Sequence, residues 1–564
     1  MALCEAKGIH HVVISPGSRN APLTNGFAYN RTIRTYSVVD ERSAAFVAIG
    51  MAQRLNQPVA VVCTSGSALL NYYPAVAEAF YSDIPLIIIS ADRPAERIDI
   101  GDGQTIRQKN IFENHILYSA NLYSEVVLQE ETRDKRLMQK QFEAQRRNER
   151  EVNLALNSAI EQKGPVHINV PLYEPLYELT EDPGNKPLEI LPEVVERIYS
   201  STQLASYAEL WNSASRKMVI VGVAQPGAVE QRFLEELAAD PSVIIFTETT
   251  SNIQHPELFT RIDTMIGPLE NHQDREALFQ ALQPEILLTF GGMIISKKIK
   301  AFLRRYNPGH HWHVDPKKAY NTFFSLDKHF ETPVNAFFRN FLPLTHSNDS
   351  TYGNFWKKIR IQRQQRHDRY MNEIPYSDLK VMQTIVPFVP EDHVLHLGNS
   401  AIVRYAQLFK WKRSLKIFCN RGTSGIDGTT STAVGASIVS PDPVLVILGD
   451  LSFFYDSNAL WNGYLPDSFR IIVLNNRGGG IFRILPGNKD SEVFDEYFET
   501  VHELSAKPIC ELHGLEYSSA ASTEEITEVL QGFFQPSEKP RLLEIFTPRK
   551  VNDQVLLEYF NFVK

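Results

Sequence analysis

Short apolar runs rich in β-branched residues punctuate this chain, separated by longer stretches with helical spacing. From Gly8 to Pro171 the runs are His11–Ser15, Thr35–Val39, Val59–Cys63, Leu86–Ser90 and Val166–Val170. A second block carries Met218–Val223, Val243–Phe246, Ile286–Phe290 and His311–Val314. A third carries His393–Leu397, Lys416–Cys419, Val444–Leu448, Ile471–Leu474 and Leu542–Ile545. Repeated alternation of such runs with helices predicts α/β domains built on doubly wound parallel sheets. At 564 residues the chain is too long for one core. Proline-rich turns over Pro171–Pro192 and the polar stretch His346–Asn354 read as linkers. The expected division is 1–180, 190–345 and 350–564. Only seven residues precede Gly8, so either the fold starts late or the natural chain begins further upstream.

Composition changes this picture little. With 43% hydrophobic and 22% charged residues the chain reads as an ordinary soluble globular protein. Its formal charge of −9 argues against a nucleic-acid partner. The charged segment Gln129–Asn153 interleaves acids and bases with apolar residues at helical spacing, which makes it a solvated amphipathic helix. The cysteines Cys4, Cys63, Cys419 and Cys510 show no CxxC spacing, and buried reduced thiols in a reducing compartment are expected. No apolar run approaches the ~18 residues of a membrane span, and the first residues lack a signal-peptide core. A cytoplasmic protein follows as the expectation. His10 and His11 begin a strand and read as structural.

Candidate chemistry concentrates between Pro443 and Pro486. The run Val444–Leu448 ends in Gly449-Asp450, a helix-like segment follows from about Tyr455 to Gly463, and Ile471–Leu474 ends in Asn475-Asn476. Asp450 and Asn476 therefore fall at the carboxyl ends of neighbouring strands, the edge at which open α/β sheets bind ligands. A carboxylate, an amide oxygen and a nearby backbone carbonyl are hard donors suited to a Mg²⁺ ion that also holds phosphate oxygens. In the first block SPGSRNAPLT (15–24) shapes a tight turn that leaves Ser18 and Arg19 where a helix begins, a natural anion site. Glu41 stands at the junction between the Thr35–Val39 strand and a helix over Ser43–Leu55.

The Gly-Asp … Asn-Asn pattern resembles the thiamine diphosphate signature. More specifically, ISPGSRNAPL (14–23), DERSAAF (40–46), TSGSALLNYYPAVAEA (64–79), SADRP (90–94), GDGQTIRQ (101–108), GNSAIVR (398–404), NRGTSGIDGTTSTAVG (420–435) and GDLS (449–452) resemble the 2-succinyl-5-enolpyruvyl-6-hydroxy-3-cyclohexene-1-carboxylate synthase family of menaquinone biosynthesis. The resemblance implies a pyrimidine-binding, a central and a diphosphate-binding domain. It implies decarboxylation of 2-oxoglutarate and conjugate (Stetter-like) addition of the succinyl carbanion to isochorismate. Glu41 would act at the pyrimidine ring. Asp450, Asn476 and the Gly478 carbonyl would ligate Mg²⁺ or Mn²⁺. Ile426 would bend the cofactor, Ile481 and Phe482 would wall its thiazolium, and Ser400 and Ser452 would also contact it. Arg19, Arg93 and Lys297, helped by Ser18 and Gln104, would hold isochorismate; Arg404 and Arg421, with Ser400, would hold 2-oxoglutarate. Lys298 stands where the family often has arginine, so a charge is kept but not a planar fork.

In this family Glu41 and the diphosphate motif meet across a subunit interface, so a homodimer or homotetramer is implied. The rivals are an acetohydroxyacid synthase or benzoylformate-decarboxylase type enzyme, and a non-catalytic nucleotide-binding protein. The last needs a G-x-G-x-x-G turn, whose spacing RGGGIF (477–482) lacks.

Overall fold

Each apolar block folds into its own sheet, and the strand pairs of all three are parallel. The computed structural model describes residues 1–564 except 125–134, 175, 178, 180–185, 194, 486 and 488. The first sheet comprises β1 (His11–Ile14), β2 (Arg34–Ser37), β3 (Val59–Cys63), β4 (Leu86–Asp92), β5 (Tyr118–Asn121) and β6 (Val166–Pro171), in the order β2-β1-β3-β4-β6-β5. The second comprises β7 (Lys217–Val221), β8 (Val243–Thr247), β9 (Ile286–Phe290), β10 (His310–Val314) and β11 (Leu326–Phe330), in the order β11-β10-β9-β7-β8. The third comprises β12 (Val394–Leu397), β13 (Lys416–Phe418), β14 (Val444–Gly449), β15 (Arg470–Asn475), β16 (Glu516–Ala520) and β17 (Arg541–Phe546), in the order β13-β12-β14-β15-β17-β16.

β3, β4, β7, β8, β9, β12 and β15 are buried at every position, and each is built mainly of apolar residues. Three strands escaped the pattern, β5, β11 and β16, and each lies at a sheet edge. An edge strand is half solvated, so YSAN, LDKHF and EYSSA need no apolar run. A second correction concerns the segment after β14. The helix begins at Asp450 and ends at Tyr455, and only a 3₁₀ turn, Ser457–Leu460, follows in place of a helix over Tyr455–Gly463. The buried Asp456 accounts for the break: its carboxylate turns inward to accept from the Ser431 N–H and hydroxyl, both at 2.7 Å. The amphipathic helix runs Lys135–Gln162; residues 129–134 of the expected segment lie outside the described residues.

Close contacts set the sheets relative to one another. Helix Glu41–Leu55 of the first lies against helix Thr429–Val439 of the third at backbone distance. A Cβ on Gly50 would fall 1.9 Å from the Thr432 carbonyl oxygen, and one on Gly435 equally close to that of Val47. Asn252, after β8, pairs with the edge of β13: its Nδ2 donates to the Ile417 carbonyl at 2.9 Å and its Oδ1 accepts from the Ile417 N–H at 2.7 Å. Among the described residues all four cysteines are free and buried, and no helix is long and apolar enough to cross a membrane. His11 meets the Tyr36 hydroxyl through Nδ1 at 3.0 Å, a packing role.

Candidate active site

Strand order in the third sheet reverses between β12 and β14, which opens a crevice at their carboxyl ends. Ser400 follows β12, Asp450 follows β14 and Asn476 follows β15, so all three arrive at this edge. Asp450 is buried at the start of its helix. Its Oδ1 accepts from the Leu451 N–H at 2.7 Å and its Oδ2 from the Gly478 N–H at 3.0 Å. Positive φ at Arg477 (64°) and Gly478 (151°) forms the turn after Asn476, and a side chain at 478 would strike the Glu499 carbonyl. Asn476 donates through Nδ2 to Asp378 Oδ2 at 2.8 Å, which fixes the amide so that Oδ1 points elsewhere. That Oδ1 is buried and has no hydrogen-bond partner among the described residues. A buried acceptor left open beside a carboxylate and a carbonyl is what a hard cation needs, so the residues present fit a Mg²⁺-bound diphosphate. Among the described residues no group of three or more His, Cys, Asp or Glu could hold a metal, so an ion here would rely on the amide and carbonyl oxygens as well as Asp450.

The loop that carries Arg421 and Ile426 is organised by two residues outside the expected set. Asn399 donates to the Asn420 and Gly425 carbonyls, both at 2.8 Å, and accepts from Arg421 Nη1 at 2.7 Å. Glu78, buried on helix Tyr73–Ser82 of the first sheet, accepts from the N–H groups of Gly422 at 2.7 Å and Thr423 at 2.6 Å. Ile426 is half-buried and its carbonyl accepts from Ser452 Oγ at 3.2 Å, which joins two of the expected cofactor contacts. Ser400 holds φ at 68°, and its carbonyl accepts from Arg404 Nη1. Ile481 and the exposed Phe482 lie on the 3₁₀ turn Gly480–Ile484.

On the first sheet, Glu41 opens its helix behind Asp40, whose Oδ1 caps the Ser43 N–H at 3.2 Å. Glu41 borders a shallow cleft of about 620 Å³ with Val39, Asn71, Tyr455 and Trp461. Arg19 is buried and donates to the Leu172 carbonyl at 3.0 Å and to Glu174 at 2.9 Å. Arg93 reaches the Gly103 carbonyl at 3.1 Å and Asp102 at 3.3 Å. Ser18 and Gln104 are exposed at the same edge, and the Gln104 carbonyl accepts from Ser65 Oγ at 2.9 Å. Lys297 is exposed at the first position of helix Lys297–Arg305, whereas Lys298 pairs with Glu270 and lies 4.6 Å from the Phe560 ring centroid.

The expected residues thus fall into two groups. Ser18, Arg19, Glu41, Arg93 and Gln104 belong to the first sheet. Lys297, Ser400, Arg404, Arg421, Ile426, Asp450, Ser452, Asn476, Gly478, Ile481 and Phe482 belong to the second and third. Among the described residues no hydrogen bond or ion pair joins a member of one group to a member of the other.

Known proteins decide the family. Models of the thiamine pyrophosphate enzymes match in order: the N-terminal TPP binding domain over residues 1–116, the middle domain over 196–397 and the C-terminal TPP binding domain over 398–545. A solved structure from Mycobacterium smegmatis, assigned to the thiamin diphosphate-dependent enzymes, shares the fold with a TM-score of 0.70 at 14% identity, over 97% of this chain and 98% of that one. The 2-succinyl-5-enolpyruvyl-6-hydroxy-3-cyclohexene-1-carboxylate synthase of Christiangramia forsetii is 70% identical over 100% of this chain and 98% of its own length. The chain belongs to that synthase family. Synthases of the same name from Flavobacterium psychrophilum and Flavobacterium johnsoniae are 49% and 48% identical, each over 99% of this chain and 97% of their own length. Like other members of the synthase family, it is a thiamine diphosphate-dependent enzyme.

Within this synthase fold, sequence reasoning missed His502, Asp378 and Glu248. His502 Nε2 lies 3.3 Å from Asp450 Oδ2, with Nδ1 accepting from the Leu504 N–H at 3.1 Å. It reaches the site from a loop far along the chain, and no motif flags it. Burial pushes the Asp378 carboxyl up to about 6, and its hydrogen bond from Asn476 pulls the other way. Glu248, after β8, accepts from the N–H groups of Ile295 and Ser296, both at 2.7 Å, and so fixes the segment that leads to Lys297. Burial pushes the Glu248 carboxyl up to about 7.

A raised carboxyl value has a definite sign. Relative to an unfolded glutamate near ~4.3, native Glu248 holds its proton more tightly. Its stabilising contribution is therefore full below about pH 4 and lost as pH rises through about 7. Glu248→Gln lacks that slope. The urea midpoint of the variant minus that of the parent is expected to rise from pH 5 to pH 8, and an unchanged difference across that range removes the assignment.

Proposed function

We propose that this enzyme decarboxylates 2-oxoglutarate and transfers the succinyl unit to isochorismate, releasing CO₂. Full-length membership of the synthase family carries this reading. Bound thiamine diphosphate supplies the electron sink for loss of CO₂ from a 2-oxo acid. Asp450, the Asn476 amide oxygen and the Gly478 carbonyl would hold Mg²⁺, and through it the diphosphate. The orphaned Asn476 Oδ1 supports this placement. Glu41 would hold a proton at the pyrimidine ring, Ile426 would press the cofactor into its bent form, and Ile481 and Phe482 would exclude water from the reacting centre, with Ser452 as a further contact.

Both substrates are acids, so the site must supply cations. Arg404 and Arg421, with Ser400, would orient the donor by its distal carboxylate. Each guanidinium makes one hydrogen bond to a neutral protein oxygen, and Arg421 Nε is buried without a partner among the described residues. Arg19, Arg93 and Lys297, with Ser18 and Gln104, would hold the acceptor. Two copies would complete the site, the first sheet of one facing the third sheet of the other. The separation of the two residue groups and the exposed Val39, Tyr455 and Trp461 around Glu41 support that arrangement. A cytoplasmic location agrees with the four buried free thiols.

Donor and acceptor roles separate in time, because addition requires CO₂ to have left. Single-turnover CO₂ release from 2-oxoglutarate without isochorismate is expected to fall roughly 10–150-fold in kcat/KM in Arg404→Ala, the worth of one charged contact. It is expected to stay near the parent value in Arg19→Ala, which instead impairs product formation. Equal losses of CO₂ release in both variants overturn the division of the site.

A further inference from the structure

A second cavity, of about 490 Å³, shares no lining residue with the site above. It opens between the segment that follows β8, helix Tyr352–Glu373 and the segment that precedes β13. Its volume falls in the roughly 300–1,000 Å³ range of small-molecule pockets. Leu258, Phe259, Met265 and Ile361 supply apolar walls, while Arg261, Arg360, Lys410 and Arg413 supply four cations; no carboxylate lines it.

The cations outnumber the acids that act on them. Among the described residues none of the four forms an ion pair. Arg261 and Arg360 are half-buried and held by neutral acceptors instead: Arg261 Nη2 donates to Gln364 Oε1, and Arg360 Nη1 donates to the Leu258 carbonyl at 2.6 Å. The Arg360 guanidinium also lies 5.0 Å from the Phe259 ring centroid, a cation resting on one apolar wall. The two acids that act on them stand outside the lining and are shared: Glu257 acts on Arg360 but pairs with Lys357 at 2.7 Å, and Asp368 acts on Arg261 while accepting from Gln364 Nε2 at 2.6 Å. An excess of cations over acids at a half-buried site is costly, and a bound anion relieves that cost. Apolar walls with cations and no acid select for a ligand that is itself amphipathic.

We propose that this cleft is a binding site for a small carboxylate with an apolar body, aromatic or aliphatic. The body would lie against Leu258, Phe259, Met265 and Ile361, and the carboxylate would meet Arg261 and Arg360 with Lys410 and Arg413 at the mouth. The site is independent of the reaction assigned above and takes its ligand by charge and shape alone.

The test uses the enzyme loaded with thiamine diphosphate and Mg²⁺, and 1-anilinonaphthalene-8-sulfonate as a fluorescent anion with an apolar body. The expected result is one saturable dye site per chain, displaced by benzoate or octanoate but not by benzyl alcohol or octan-1-ol at the same concentrations. Which acid displaces better distinguishes an aromatic from an aliphatic ligand. In Lys410→Glu/Arg413→Glu, both exposed positions, dye affinity is expected to fall at least about 10-fold with circular dichroism and turnover unchanged. Unchanged dye affinity in that variant, or displacement by the alcohols as readily as by the acids, overturns the proposal. So does loss of subunit association with dye binding intact, which makes the cleft a contact between copies.

Discussion

Glu41→Gln is expected to lower turnover by about 10²–10⁴-fold, the usual worth of a lost acid–base group, with thiamine diphosphate binding nearly intact. The substitution preserves shape and removes only the carboxylate. Glu41 is free to act: its one hydrogen bond among the described residues is a 3.5 Å contact from Asn71 Nδ2, at the outer limit of such bonds. It is also held in place. Asp40 caps the helix, and Asn458 Nδ2 donates to the other Asp40 oxygen at 2.8 Å. Cofactor affinity from fluorescence quenching and turnover at saturating cofactor, measured side by side, check this. Turnover within a few-fold of the parent would falsify the assignment of Glu41.

Asp450→Ala is expected to weaken Mg²⁺ and thiamine diphosphate together. The loss should exceed the ~10–100-fold that follows removal of a supporting hydrogen bond around a metal, because on the proposed reading a ligand itself is lost. Asp450 has a second task, accepting from the Gly478 N–H, so the turn that presents the Gly478 carbonyl loosens as well. Calorimetric titration of cofactor at several Mg²⁺ concentrations reads both effects, and chelation of the metal from the parent should reproduce them. A variant that holds the cofactor with parental affinity in metal-free buffer shows that the metal site has been misplaced.

Much of this enzyme follows from local sequence. A strand buried on both faces is apolar at nearly every position, so Val59–Cys63, Ile286–Phe290 and the core of β15 announce themselves. The same rule explains why β5, β11 and β16 stayed hidden. At a sheet edge one side meets solvent, and polar residues there cost nothing. The Asp450 and Asn476 positions were legible because a strand end is a local feature.

What tertiary structure alone decided is which distant side chains support those positions. Asp378 orients the Asn476 amide across 98 positions of chain, and Glu78 holds the Arg421 loop across 344. His502 reaches Asp450 from beyond a short π-helical turn at Asp495–Glu499. Glu248 sets the approach to Lys297 from another strand end of the second sheet. A buried carboxylate reads in sequence like any surface acid, because its partners are backbone N–H groups or amides brought to it only by the fold. Sequence could place the candidate groups at strand ends and helix starts; burial and long-range hydrogen bonding decided what holds them in place.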